Sequence, residues 1–130
     1  MQNLALIAPL IILFPSIGAF INFTIGPRLS ERFVAIIGTT ASALSFMVAL
    51  LLAVYLNGNY FQPVVVDPPL INPTWIQIGT LEIGWQLRVD TLSVTMMFFA
   101  TFVGTLIHIY SAGYMHGDPD FSRFFTYLNL

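Results

Sequence analysis

Three long runs without a charged residue alternate with short polar stretches, and a fourth apolar run opens near residue 119. The first, Leu4 to Ile25, is about 22 residues, long enough as a helix to cross a ~30 Å hydrocarbon core. Pro9 and Pro15 interrupt it, which a membrane helix tolerates where neighbouring helices satisfy the freed carbonyls. Pro15, Gly18, Ala19 and Asn22 fall on one face at helical spacing and predict a close-packing surface turned toward other helices. A polar connection, GPRLSER, follows with Arg28, Glu31 and Arg32. Phe33 to Leu56 is the second predicted span, about 24 residues. Its stripe of Gly38, Ala41, Ser42, Ser45 and Ala49 lets helix backbones approach closely.

Residues 57–90 change character. Pro63, Pro68, Pro69 and Pro73 forbid a helix through position 73. From Trp75 to Val89 the pattern alternates, with Leu81, Ile83, Trp85, Leu87 and Val89 on one face and Glu82, Gln86 and Arg88 on the other. Gly79-Thr80 has the Gly-X form of a two-residue type II′ turn. Counting back from that turn pairs Ile78 with Leu81 and Ile76 with Ile83, so both strands present apolar groups on the same side. The stretch 75–89 therefore predicts a β-hairpin outside the membrane, with Trp75 and Trp85 at interfacial depth.

Thr91 to Ala112 is the third predicted span. Asp90 suits its N-cap and the positive end of its dipole, and Gly113 suits its end. Asp118-Pro119-Asp120 then reads as N-cap, N1 and N2 of a helix over 119–130 that continues in Phe121, Phe124, Phe125, Leu128 and Leu130. About ten residues are too few to span a bilayer, so a longer protein is expected, with this chain as its N-terminal piece. The expected fold class is all-α transmembrane: three spans plus the start of a fourth, with an extramembrane β-hairpin between spans 2 and 3.

Composition agrees. Hydrophobic residues make up 57% of the chain, charged residues 8%, and mean hydropathy is +0.84. A water-soluble domain carries roughly 25% charged residues. The absence of lysine and a net charge of −2 argue against a nucleic-acid surface. With no cysteine there are no disulfides, thiolate metal sites or haem attachment. The first run lacks a basic n-region and a following A-x-A site, which predicts a retained span rather than a cleaved signal. Arg28, Arg32 and Arg123 fall on one side of the membrane and Arg88 on the other. By the positive-inside rule, the N-terminus and hairpin are expected to be extracytoplasmic.

His108 is the only ionisable side chain inside a predicted span, which makes it a candidate for a proton path or for a structural hydrogen bond to a neighbouring helix. It shares a stripe with Thr101, Thr105 and Ala112, a face expected to meet protein. A metal cluster of His116, Asp118 and Asp120 is disfavoured: no second histidine lies at ligand spacing, and Asp118 is better used as a cap. Arg123, three residues after Asp120, predicts a local ion pair. No phosphate-cradling glycine loop, nucleophile–base pair or dinucleotide fingerprint is present, and no catalytic, cofactor-binding or metal-binding residue is expected.

The segments VDTLSVTMM and TLIHIYSAGYMHGDPDFSRFFTYLNL carry a more specific signal. Asp90, Leu92 and Ser93, then Leu106, Ile107, His108 and Tyr110, then Tyr114, Met115 and Asp118, and last Arg123, Phe124, Phe125 and Tyr127 resemble a family pattern. The pattern is that of the N-terminal region of subunit L (chain 5) of the proton-pumping NADH:quinone oxidoreductase, respiratory complex I. Asp90, Tyr110 and Arg123 are the family-motif positions singled out. The strong resemblance covers about the last 40 residues, and the layout of spans and hairpin agrees over the remainder.

The resemblance implies an antiporter-like membrane-arm subunit, in a bacterial inner membrane or its organellar equivalent, that moves protons when quinone is reduced elsewhere. Its partners would be other membrane-arm subunits and lipid. NADH, flavin, iron–sulfur clusters and quinone would belong to other subunits. Such subunits work through a lysine and a glutamate buried in later helices, and neither a lysine nor an intramembrane carboxylate occurs here. This chain would then be scaffold before the first channel repeat, a non-redox part of an oxidoreductase. Two alternatives stand beside it: the large subunit of a multi-subunit sodium/proton antiporter, and a small non-transporting membrane scaffold protein.

Overall fold

A computed structural model describes residues 7–56, 64–66, 74–84 and 87–130. In chain order its elements are α1 (Leu10–Thr24), α2 (Glu31–Leu56), β1 (Val64–Val66), β2 (Thr74–Ile78), β3 (Leu81–Gly84), β4 (Leu87–Val89), α3 (Thr91–Tyr114) and α4 (Phe121–Asn129). Helices dominate. Two of them, over Glu31–Tyr55 and Thr91–Tyr114, are long and apolar enough to cross a membrane.

α1 is shorter than the run that predicts it. Pro9 occupies its N-cap, where a missing N–H costs nothing, so regular helix starts at Leu10 and has 15 residues. At 1.5 Å per residue that is about 22 Å. Residues 4–6 of the predicted span lie outside the described residues. α1 keeps Pro15 within it, and Gly18, Ala19 and Asn22 are buried as the shared face requires, with Pro15 half-buried. A 3₁₀ turn over Gly26–Arg28, with Pro27 inside it, leads to α2.

α2 is the central helix and packs against α1, α3 and α4. Its small-residue stripe is the buried face: Ser45 and Ala49 are almost fully enclosed, and Gly38, Ala41 and Ser42 are buried. Leu50 and Leu51 face outward. With lipid as apolar as leucine, such contacts hold helices together by close packing rather than by hydrophobic transfer. One packed cluster joins Ile11 of α1, Val48 and Leu52 of α2, Val89 of β4 and Val94 of α3. A second, at the other end of α2, joins Val34 and Ala35 to Phe121 and Phe125 of α4. Phe46 of α2 also meets Phe98 and Phe102 of α3, with ring centroids 5.5 and 5.4 Å apart.

α3 starts where expected. The Asp90 carboxylate accepts the Ser93 N–H at 2.8 Å, and the Ser93 hydroxyl accepts the Asp90 N–H at 2.9 Å, a reciprocal capping box. Its end differs: the helix runs through Gly113 to Tyr114, and Gly117 (φ +85°) makes the left-handed turn. The start of the last helix also differs. The Asp118 carboxylate turns back to accept the N–H of Asp120 at 2.8 Å, closing a local turn around Pro119. Asp120 therefore takes the N-cap position, without a side-chain cap bond, and α4 begins at Phe121 rather than at 119.

The hairpin forms with the expected register, Ile78 opposite Leu81 and Ile76 opposite Ile83. Gly79 has φ +62°, and no non-glycine residue described has a positive φ, which is the type II′ arrangement. The ladder ends at Gly84, however. β4 pairs with β1 (Val64 opposite Val89, Val66 opposite Leu87), so the alternating stretch is shared between two small antiparallel ladders. Pairing to a strand upstream of Pro68, Pro69 and Pro73 left no local signal. The placement of Trp75 and Trp85 lies outside the described side chains.

Candidate functional site

The interior of the packet is polar where α1, α2 and α4 cross. Asn22 is fully buried and Asn129 is 4% exposed. Asn22 Nδ2 donates to Val34 O across the α1–α2 interface at 3.4 Å, and Asn129 Nδ2 donates to Phe125 O in its own helix at 3.0 Å. Two glycines make room for these amides. A Cβ on Gly38 would stand 2.7 Å from Asn129 Nδ2 and 2.8 Å from Phe125 Cδ1, and one on Gly18 would stand 3.4 Å from Asn129 Oδ1. Gly26 serves α4 similarly, with Ser122 against it; the Ser122 hydroxyl donates to Asn22 O at 3.2 Å. Further along, Ser45 donates to Ile11 O at 2.8 Å, and Ser42 and Thr105 link α2 to α3 at 3.2 Å.

His108 lies at the edge of this seam, 3% exposed, with its ring edge-on to Phe125 at 6.0 Å. Its stripe faces protein as expected, with Thr101, Thr105 and Ala112 half-buried. Its hydrogen bond is not to a neighbouring helix: Nδ1 lies 2.7 Å from Gly104 O, one turn back in α3. A carbonyl only accepts, so Nδ1 carries the hydrogen. Among the described residues, His108 Nε2, Asn22 Oδ1 and Asn129 Oδ1 are buried without a hydrogen-bond partner.

The other predicted positions are spread out. Asp90 is the cap of α3, at the far end from His108. Tyr110 is 69% exposed on the outer face of α3 and stacks on Tyr114 at 5.7 Å. Arg123 pairs with Asp120 at 3.3 Å, both exposed, an ion pair of little weight for stability. His116, Asp118 and Asp120 do not converge. The imidazole Nδ1 of His116 meets Glu31 Oε2 at 2.7 Å, and the same oxygen accepts the Gly117 N–H at 3.2 Å. This clasp between the α3–α4 turn and the head of α2 was invisible in the sequence, because its partners lie 85 residues apart. Asn129 also went unmarked, since a terminal amide in an aromatic run has no periodic signature.

The stretch from the hairpin through the capped α3 to Phe125, the ring that packs on His108, is the part that a family model matches. Residues 75–125 match the family model for the N-terminus of NADH-ubiquinone oxidoreductase (complex I) chain 5. Similarity extends well beyond that segment. Over 93% of its length the chain is similar to NADH-quinone oxidoreductase subunit L of Escherichia coli (39% identical over 126 residues) and of Mycobacterium tuberculosis (38% over 122). NADH-ubiquinone oxidoreductase chain 5 of Acanthamoeba castellanii is 33% identical over 122 residues, 92% of this chain. The chain spans about a fifth of the length of these relatives: 19% of each subunit L and 17% of the Acanthamoeba chain. The family model and these relatives thus name the same subunit, subunit L or chain 5 of NADH-quinone oxidoreductase, as what the chain is similar to. The long apolar helices fit a membrane location.

Proposed function

We propose that this chain forms the N-terminal helical scaffold of an antiporter-like membrane subunit of an NADH:quinone oxidoreductase, and that it supports proton translocation without carrying the protons. The observation that carries this reading is the 39% identity to subunit L maintained over 93% of the chain. The chemistry of the packet supports the scaffold role. It has no lysine, its carboxylates lie outside the apolar runs, and the buried amide of Asn22 and hydroxyl of Ser45 are spent on joining α1 to α2. His108 holds its Nδ1 proton on its own helix and packs on Phe125, the arrangement of a brace. In this reading the redox groups belong to other subunits, the neighbours are other membrane-arm subunits and lipid, and the N-terminus and hairpin face away from the cytoplasm.

The test is to tag the protein in its own membrane, extract it in mild detergent, and assay the eluate for NADH:quinone reductase activity. Co-elution of that activity is expected. An intact membrane assembly that lacks it and contains only small hydrophobic partners would overturn the reading in favour of a sodium/proton antiporter.

A further inference from the structure

α1 carries a break in its own hydrogen bonding that a second helix closes. Pro15 lies inside the helix. It has no N–H to give to the carbonyl four residues back, that of Ile11, and its ring crowds that oxygen. Ile11 is buried, and a buried carbonyl left without its donor is costly. The Ser45 hydroxyl of α2 donates to Ile11 O at 2.8 Å, in place of the missing amide. Ser45 is 1% exposed, so the bond is closed to solvent. The next carbonyl is served from within α1, where the Ser16 hydroxyl donates to Ile12 O at 2.7 Å. Of these two hydroxyl bonds at the break, one stays in α1 and the other crosses to α2.

The two halves of α1 are held differently. After Pro15, Gly18 meets Ala41 of α2 and Asn129 of α4, and Asn22 donates to Val34 O. Before it, the segment Leu10–Phe14 carries Ile11 into the cluster of Val48, Leu52, Val89 and Val94, with Leu10 and Phe14 packed against it. The small residues of α2 that face α1 recur every three to four positions, so close packing by itself does not single out one axial register. A hydroxyl placed on one carbonyl does. We propose that Pro15 and Ser45 form a hinge and its latch. The segment Leu10–Phe14 joins the rest of α1 through a turn that lacks one bond. Ser45 fastens that segment to α2, which sets the register of the two helices and seats Ile11 in the cluster. Ser45 is thus a positioning residue whose importance depends on the proline opposite it.

The test uses the full-length subunit in its native membrane assembly, reconstituted in nanodiscs, with amide hydrogen exchange read by mass spectrometry on either side of residue 15. Ile12 and Leu13, whose N–H groups bond Pro9 O, report on the segment before the hinge, and residues 18–22 report on the rest of α1. Ser45→Ala should speed exchange before the proline about tenfold, as the loss of one buried hydrogen bond does, and leave residues 18–22 unchanged. Pro15→Ala restores an N–H for Ile11 O, so in that background Ser45→Ala should change exchange by less than about twofold. Ser42→Ala removes a bond to Thr105 of α3 instead, and should act alike with or without Pro15. If Ser45→Ala does not assemble, recovery of assembly by Pro15→Ala supports the hinge, and no recovery overturns it. An effect of Ser45→Ala that is equal in both backgrounds, or equal on both sides of residue 15, would also overturn the proposal and leave Ser45 an ordinary helix contact.

Discussion

Replacing Gly38 by alanine tests the packing on which the polar seam depends. The added Cβ would stand 2.7 Å from Asn129 Nδ2 and 2.8 Å from Phe125 Cδ1, whereas ordinary contact begins near 3.4 Å. Neither neighbour has room to retreat, since Phe125 is fully buried and Asn129 nearly so. Overpacking of this kind costs about 1–3 kcal/mol. Against it stands the gain of up to about 1 kcal/mol when glycine becomes alanine inside a helix. A second variant separates the two. Gly104→Ala makes the same exchange within α3, where the new Cβ would meet only Ser42 Oγ at 3.8 Å. The helix-propensity term is common to both, so their difference reports the clash, and Gly38→Ala should be less stable than Gly104→Ala by about 1–3 kcal/mol. Unfolding of each variant in mixed detergent micelles, followed by far-UV circular dichroism, measures this difference. Stabilities within about 0.5 kcal/mol of each other would refute the claim that Gly38 is the space into which Asn129 and Phe125 fit.

Asp90→Ala should remove the bond from the Ser93 N–H to the carboxylate, leaving the backbone N–H of residue 90 on the Ser93 hydroxyl, and lower stability by about 0.5–2 kcal/mol, with Asp90→Asn recovering most of it. Faster amide exchange confined to the first turn of α3 is the accompanying sign, and unchanged exchange there would refute the role of the cap. His108→Gln in the full-length subunit should retain NADH-driven proton uptake with some loss of assembly yield. Intact assembly with proton transfer abolished would make His108 part of the path. Gln77→Cys places the only thiol of the chain on the exposed hairpin, where an impermeant thiol reagent should label it from outside the cell. Labelling from the cytoplasmic side alone would reverse the orientation.

What the chain determines by itself is local or periodic. The small-residue face of α2 was legible because side chains recur every three to four residues on one side of a helix, whatever surrounds it. The cap at Asp90 and the register set by Gly79 were legible because each acts within a few bonds of its own position. The resemblance was legible for the same reason: the residues that carry it, from Asp90 to Tyr127, lie close along the chain. Boundaries were less secure where two local signals competed. Gly113 could end a helix but has no need to, and Asp118 could cap α4 but instead bonds Asp120 across Pro119. Only the tertiary structure decided which distant groups meet. Asn129 enters the space left by Gly18 and Gly38, His116 reaches Glu31, and β4 leaves the hairpin for β1. These contacts depend on how helices cross, and one chain's local preferences do not encode a crossing. His108 shows the division most plainly. Its type and position marked it as unusual in an apolar run, and its Nδ1 bond to Gly104 O is local to α3, whereas the packing of its ring on Phe125 follows from the placement of α4.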